Sequence, residues 1–295
     1  MTKRVISVFL CVLCVISSIS FIVSAKENKE YTSDNFLSVA DGIIAWKKAD
    51  NGSEPDGYLI NDKYLENAGT TPGDWYPIAL GRLGIQDNNE GYLAVIKDRV
   101  EERYRESGRL SAAKATEWHR IALAVLAMGG DPTNFGTDEN GAPINLIADG
   151  TYDRGKTTPL GRQGINGWIW GLITLDSMRY TVPDGAYNTR DDIIVEIISK
   201  QLSDGGFALS SDDADPDITA MAITALAPYY NSEKIYSYHR KALSADESKT
   251  VHEVVDEAVL CLSRLQLDTG DYKSWGTQNV ESTDWVAVAP VSYTH

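Results

Sequence analysis

Four acidic residues, Asp212, Asp213, Asp215 and Asp217, stand directly before the alanine-rich apolar segment that ends at Tyr230. A carboxylic acid kept protonated by burial and by neighbouring carboxylates can act as a general acid. Carboxylates at alternate positions also begin a calcium loop. At the start of a helix, the same side chains accept hydrogen bonds from free backbone N–H groups. The cluster is therefore interpreted in three ways: as a proton donor, as a metal site or as a helix cap.

The metal interpretation assigns a loosely bound Ca²⁺ to Asp212, Asp213 and Asp215. An EF-hand loop beginning at Asp213 is disfavoured. Its sixth and twelfth places hold Ile218 and Thr224, where an EF-hand needs Gly and Glu. Zinc chemistry is disfavoured as well, since it needs cysteine and histidine ligands close together.

The first 25 residues indicate an exported protein. Lys3 and Arg4 precede the apolar run 5–23, and Val23 and Ala25 supply the small residues at the −3 and −1 positions of a cleavage site. We interpret residues 1–25 as a signal peptide and expect a secreted or cell-surface location. No later segment has 18 uninterrupted apolar residues, so no transmembrane segment is expected after signal removal.

The net charge limits the classes of binding partner, and the cysteine content predicts a structural role for the remaining thiol. The formal net charge is −15, and it becomes −17 once Lys3 and Arg4 are removed, which argues against nucleic acid and anionic membranes. Cys261 is the one cysteine that follows the signal segment, at helical spacing among apolar residues, and it is expected to be a buried structural thiol.

Five helical segments can be aligned on one another as internal repeats. Each begins with Asp, Glu or Asn and is apolar almost all round, which is typical of a helix buried on every side. The segments start at Asp74, Glu117, Asn166, Asp217 and Glu281. We predict that these five residues cap their helices, and that capping is the main role of Asp217.

One-sided amphipathic helices are predicted between the apolar ones, in 33–49, 90–107, 189–202 and 252–267. Alternation of all-apolar and one-sided helices requires an inner and an outer layer. The predicted fold is therefore all-α, an α/α toroid spanning residues 26–295, with parallel inner helices.

Three motifs carry a resemblance to a known superfamily: 201–207 (QLSDGGF), 215–222 (DPDITAMA) and 165–176 (INGWIWGLITLD). The chain resembles the α/α-toroid proteins, which include squalene and terpene cyclases, protein prenyltransferase β subunits and cobalamin carriers, and in particular secreted bacterial prenyltransferase-like surface proteins. The first motif is similar to the cyclase Gln–Trp motif, with Phe207 in place of Trp, and 265–276 is a degenerate second copy. The resemblance implies that this motif ties an outer helix to its neighbour. Members of the superfamily have six helix pairs, and five inner helices are found here, so the resemblance implies that the last helix pair is absent.

The resemblance also implies candidate functions. Residues 215–220 resemble the D-x-D-D-T-A motif of class II terpene cyclases, which would make Asp217 the general acid with Asp215 beside it, although Ile218 replaces the last Asp. The cobalamin carriers suggest a corrinoid as an alternative ligand.

Parallel inner helices would place their N-termini at one mouth of the ring, with aromatic residues just inside. The predicted ligand-binding residues are Trp75, Tyr76, Trp118, His119, Trp168 and Trp170. We expect a secreted module that binds a small hydrophobic or corrinoid ligand, or that acts as a scaffold for another surface protein. Catalysis by Asp217 as a terpene-cyclase-like isomerase is the alternative.

Overall fold

A computed structural model of the chain describes residues 33–153 and 158–293. The described part contains eleven α-helices and two short hairpins, so the protein is mainly helical. The helices are α1 (Ser33–Asn51), α2 (Asp62–Leu65), α3 (Thr71–Leu83), α4 (Asn89–Ser107), α5 (Thr116–Ala127), α6 (Leu146–Gly150), α7 (Ile165–Asp176), α8 (Arg190–Ile198), α9 (Pro216–Leu226), α10 (Val251–Leu265) and α11 (Val280–Tyr293). The strands are β1 (Ile235–Arg240), β2 (Ala245–Thr250), β3 (Lys273–Ser274) and β4 (Thr277–Gln278).

The five predicted apolar helices are confirmed as α3, α5, α7, α9 and α11. They pack on one another in chain order, α3 against α5, α5 against α7, α7 against α9 and α9 against α11. Glycines bring neighbouring backbones close together: a Cβ on Gly81 would lie 2.0 Å from the carbonyl oxygen of Ala127, and one on Gly167 would lie 1.9 Å from that of Leu160. These contacts require glycine because they are made by backbone atoms, which cannot move aside as side chains do.

The four predicted amphipathic helices are confirmed as α1, α4, α8 and α10. Helix α8 packs against α7, and α10 against α9. Two of them begin with a capping box, formed by Thr189 with Asp192 and by Thr250 with Glu253. In α10, the apolar stripe that includes Val254, Ala258 and Cys261 is buried. This burial confirms Cys261 as a buried thiol, and burial raises its pKa to about 11.

The prediction that the five repeat residues cap their helices is wrong. Asp215, not Asp217, is the N-cap of α9, and its carboxylate accepts a hydrogen bond from the backbone N–H of Ile218. The other aligned residues also lie inside their helices: Glu117, Asn166, Asp217 and Glu281 are each the second helical residue, and Asp74 is the fourth of α3. An N-cap residue stands just before the first helical residue, and its side chain accepts a hydrogen bond from the backbone N–H of the second or third helical residue. A residue inside the first turn does not hold that position.

The two copies of the Gln motif adopt the same turn. Gln201 donates from Nε2 to the carbonyl oxygen of Gly205 at 2.9 Å, and Gln266 donates to that of Gly270 at 3.0 Å. Both glycines have a positive φ, 91° and 88°, which favours glycine there. Gln201 also donates to the carbonyl oxygen of Val254 at 2.9 Å, so the turn after α8 is tied to α10.

Two antiparallel hairpins were not predicted from the sequence. Strands β1 and β2 pair from Ile235 with Thr250 to Arg240 with Ala245, and β1 alternates between exposed and buried residues. Buried Arg240 donates to the carbonyl oxygen of Gln201 at 3.1 Å, which fixes the hairpin to the Gln201 turn. The all-α prediction therefore holds for the bulk of the fold and misses this hairpin.

The predicted signal peptide, residues 1–25, lies outside the described residues. Among the helices of the described ranges, none is long and apolar enough to cross a membrane.

Candidate functional site

A cavity of about 580 Å³ opens where α3, α5, α7 and α11 begin. A cavity of this size suits a drug-sized ligand. Its walls combine aromatic, apolar and charged side chains from residues far apart in the chain. The lining residues are Thr71, Pro72, Trp75, Lys114, Thr116, Glu117, Arg120, Gln163, Asn166, Trp170, Met221, Glu281, Asp284, Trp285 and Val288.

Three tryptophans form a continuous aromatic wall. The ring centroids of Trp75 and Trp170 are 5.7 Å apart with planes inclined at 58°, and those of Trp170 and Trp285 are 5.9 Å apart in an edge-to-face arrangement. The rings come from α3, α7 and α11, which do not follow one another in the chain-order packing. The cavity is therefore built where these three helices converge.

Helix α11 presents one stripe to the cavity, formed by Glu281, Asp284, Trp285 and Val288. The spacing i, i+3, i+4, i+7 places these residues on a single helix face. Carboxylates and an indole thus share the same wall.

Asp284 is the most perturbed acid of this wall. Burial, reinforced by the Glu281 carboxylate, raises its pKa to about 7. Within the described chain, its Oδ2 atom is buried and has no hydrogen-bond partner, and the same holds for Oδ1 of Asn166 on α7. Buried polar atoms without partners are uncommon in folded proteins, and these two belong to residues that line the cavity.

The opposite wall holds a closed ion-pair network centred on Arg120. Its Nε donates to Oδ2 of Asp74 at 2.7 Å, and its terminal nitrogens donate to both carboxylate oxygens of Glu117 at 2.7 and 3.0 Å. Asp74 also accepts from the Tyr92 hydroxyl at 2.7 Å and from the Gly69 N–H at 2.7 Å. Although burial opposes ionisation of Glu117, the bonds and charge of Arg120 hold its pKa below the usual range. The Arg120 guanidinium is therefore ion-paired within the protein, to Asp74 and Glu117.

Two of the six predicted ligand-binding residues, Trp75 and Trp170, line the cavity. Trp118 is fully buried and donates to the Tyr104 hydroxyl at 2.7 Å, while His119 is buried with Nε2 2.7 Å from the carbonyl oxygen of Gly150. These two residues belong to the core.

The remaining two lie elsewhere. Tyr76 packs edge-to-face on Tyr64 and borders a separate cavity of about 380 Å³. Trp168 is half-buried on another face of α7, with the Lys200 ammonium 6.0 Å from its ring centroid.

Asp217, the predicted proton donor, lies one helical turn before the cavity residue Met221. Burial raises its pKa, the Ser282 hydroxyl opposes this shift, and the charges of Asp215 and Glu281 add to it. Its Oδ1 atom has no hydrogen-bond partner among the described residues. Asp215 is engaged elsewhere, since it caps α9 and accepts a bond from the Ser274 hydroxyl at 3.2 Å.

The predicted calcium ligands are not brought together as a site. Asp212 and Asp213 are exposed, while Asp215 turns toward α9 and Ser274. Across the described ranges there is no group of three His, Cys, Asp or Glu side chains placed to hold a metal ion.

Sequence reasoning missed Asp284, Trp285 and Arg120. The first two were within reach, because the fifth repeat starting at Glu281 was recognised and places Trp285 at the same repeat position as Trp170 and Met221. Arg120 had no such signal, since its role depends on Asp74 from another repeat. No family model, curated protein or solved structure matches this chain.

The raised pKa of Asp284 predicts a pH-dependent stability difference for Asp284→Asn. An acid whose pKa is raised on folding binds a proton more tightly in the native state, so its stabilising contribution falls as pH rises from about 4 to about 7. The variant should match the wild type near pH 4 and become the more stable of the two above pH 7. Urea unfolding at pH 4, 6 and 8 measures this, and an equal difference at all three values would contradict the assignment.

Proposed function

We propose that this chain is a secreted α/α-toroid module that binds a small, largely apolar ligand in the cavity lined by Trp75, Trp170 and Trp285. The continuous tryptophan wall carries the proposal, because aromatic concave surfaces with a few polar groups are the usual form of small-molecule sites. The toroid is supported by the chain-order packing of α3, α5, α7, α9 and α11, with α8 and α10 packed against their partners. Export is supported by the pattern of residues 1–25.

The volume of the cavity favours a drug-sized ligand over a corrinoid. At about 580 Å³ the cavity falls within the range of ordinary small-molecule sites. A corrinoid macrocycle with its nucleotide loop is far larger than such ligands, and could contact only the mouth.

Native mass spectrometry of the chain from Lys26 tests the proposal, after incubation with a mixture of linear isoprenoids and corrinoids. We expect a retained mass equal to that of an isoprenoid. Trp285→Ala should weaken retention about tenfold, because one wall of the site is lost. The matched control is Trp275→Ala, since Trp275 is 91% exposed at the tip of the β3–β4 hairpin and does not line the cavity.

Equal loss in both variants would show that retention is unspecific. No retention by the folded wild type would contradict ligand binding and would favour a scaffold for another surface protein.

Acid catalysis by Asp217 is a second candidate, favoured by its buried, unpartnered Oδ1 atom among the described residues and its raised pKa. The proton of a neutral Asp217 would add to one alkene carbon of the ligand and leave a carbocation, and a second alkene of the same ligand would attack that cation to form the ring carbon–carbon bond. Loss of a proton to water from a carbon beside the new cation would leave a cyclic isomer, and water would return a proton to Asp217. The same incubation tests this, because the mass stays constant while chromatography separates the isomer. Asp217→Asn should abolish the isomer and leave ligand retention intact.

A further inference from the structure

The charged side chains around the cavity differ in how they are paired. Those at the start of α5 form the α5 wall, and those on α11 form the α11 wall. On the α5 wall, Arg120 is shared by Asp74 and Glu117, and Lys114 adds a second positive charge that acts on Glu117. Two cations therefore face two carboxylates, and this wall is electrically balanced.

The α11 wall has acids without counterions. Within the described residues, Glu281 and Asp284 form no ion pair, and Oδ2 of Asp284 has no hydrogen-bond partner at all. Asp217 on α9 adds a further carboxyl group beside them, whose charge and that of Glu281 interact. When they are ionised, these groups carry negative charge on one side of the cavity that no cation of the described residues pairs.

The aromatic wall faces the same space. The faces of indole rings carry negative potential and attract cations, more strongly when water is excluded. Trp285 follows Asp284 directly on α11, and Trp170 contacts Trp285 at a ring-centroid distance of 5.9 Å. A carboxylate and a pair of indoles therefore border one volume.

The N-terminal ends of the helices would by themselves favour an anion, because each carries a positive partial charge. Here α5, α9 and α11 carry Glu117, Asp217 and Glu281 at their second residue, which offsets that charge.

We propose that the ligand of this cavity is an organic ammonium ion, with its charged group between Asp284 and the Trp170–Trp285 pair and its apolar substituents along the remaining wall. This inference rests on the proposed function, that the cavity holds a small ligand. It names the substrate class which that function leaves open.

Two probes of nearly equal shape separate charge from shape. Benzyltrimethylammonium carries a permanent positive charge at every pH, and neopentylbenzene replaces its nitrogen by carbon. Quenching of tryptophan fluorescence at pH 8.5 reports binding of each probe. We expect the cation to bind at least tenfold more tightly than the neutral probe. Asp284→Asn should remove about tenfold of the cation's affinity and leave neopentylbenzene unchanged, whereas the exposed hairpin control Asp246→Asn should alter neither.

The wild type provides a second test that needs no variant. Asp284 shares its surroundings with Glu281 on its own helix, with Asp217 on α9, and across the cavity with Glu117, Arg120 and Lys114. Lowering the pH from 8.5 to 5 protonates Asp284 ahead of the ion-paired Glu117, so the preference for the cation should fall several-fold.

The outcomes separate the two claims. Equal binding of both probes, or a preference that ignores pH and Asp284→Asn, would overturn the ammonium inference and leave the proposed function standing. Binding of neither probe, together with no retained isoprenoid, would overturn both.

Discussion

Replacing Arg120 with methionine is expected to lower the free energy of unfolding by about 3 to 5 kcal/mol, the cost of leaving a buried charge without its partner. Asp74 has no exposed surface, and Arg120 is its one ion-pair partner in the described chain. Glu117 loses its bidentate ion pair with Arg120 in the same variant. Urea unfolding at pH 8 measures the change.

A matched control and a pH series sharpen this test. Arg103→Met removes a pair with the same Glu117, but that pair is 3.5 Å long and partly exposed, so the expected loss is below about 1 kcal/mol. Burial already raises the pKa of Asp74, and removal of Arg120 raises it further. The loss in unfolding free energy caused by Arg120→Met should therefore be smaller at pH 5, where Asp74 can become neutral. Comparable losses in the two variants would contradict the central role of Arg120.

Gly81→Ala is expected to destabilise the protein by about 3 kcal/mol, at the upper end of overpacking penalties. The added methyl group would lie 2.0 Å from the carbonyl oxygen and 2.5 Å from the carbonyl carbon of Ala127. Relief requires α3 and the end of α5 to move apart, because the obstacle is backbone. Thermal and urea unfolding both measure this effect.

Gly42→Ala provides the opposite control within the same fold. Gly42 lies inside α1, is exposed and has nothing within 4 Å of an added Cβ. The substitution should stabilise the protein by about 0.5 to 1 kcal/mol through helix propensity alone. If both alanines had the same sign of effect, the close approach of α3 to Ala127 would not be the cause.

The helices were predictable because their signal is local. An apolar stripe such as that of α10, or an all-apolar segment such as α7, depends on residues a few places apart. The β1–β2 hairpin was not predicted because Ile235–Arg240 has a mixed polar composition. The alternation of exposed and buried residues in this strand is seen only in the structure. The caps were misassigned by two places at α9, since Asp215 and Asp217 have equal capping propensity and Pro216 at the first helical position decides between them.

The site was harder to predict than the fold. Repeat alignment found the aromatic residues but could not tell which face of each helix meets the cavity. Trp118 and Trp75 hold the same place in the aligned segments, yet Trp118 is core and Trp75 lines the site. The difference arises in α3, where Asp74 is the fourth helical residue and its counterparts are the second, so the sequence alignment of this segment is two residues out of register with the start of its helix.

The position of α11 sets the order in which the cavity can form. Each apolar helix packs against the one made just before it, so α3, α5, α7 and α9 can assemble as they are synthesised. Trp285 and Asp284, however, arrive only with α11, after some sixty further residues that include the β1–β2 hairpin and α10. Until then Trp170 lacks its edge-to-face partner and one wall is open to solvent. The cavity is thus closed only when α11 has been made, later than the four apolar helices that precede it.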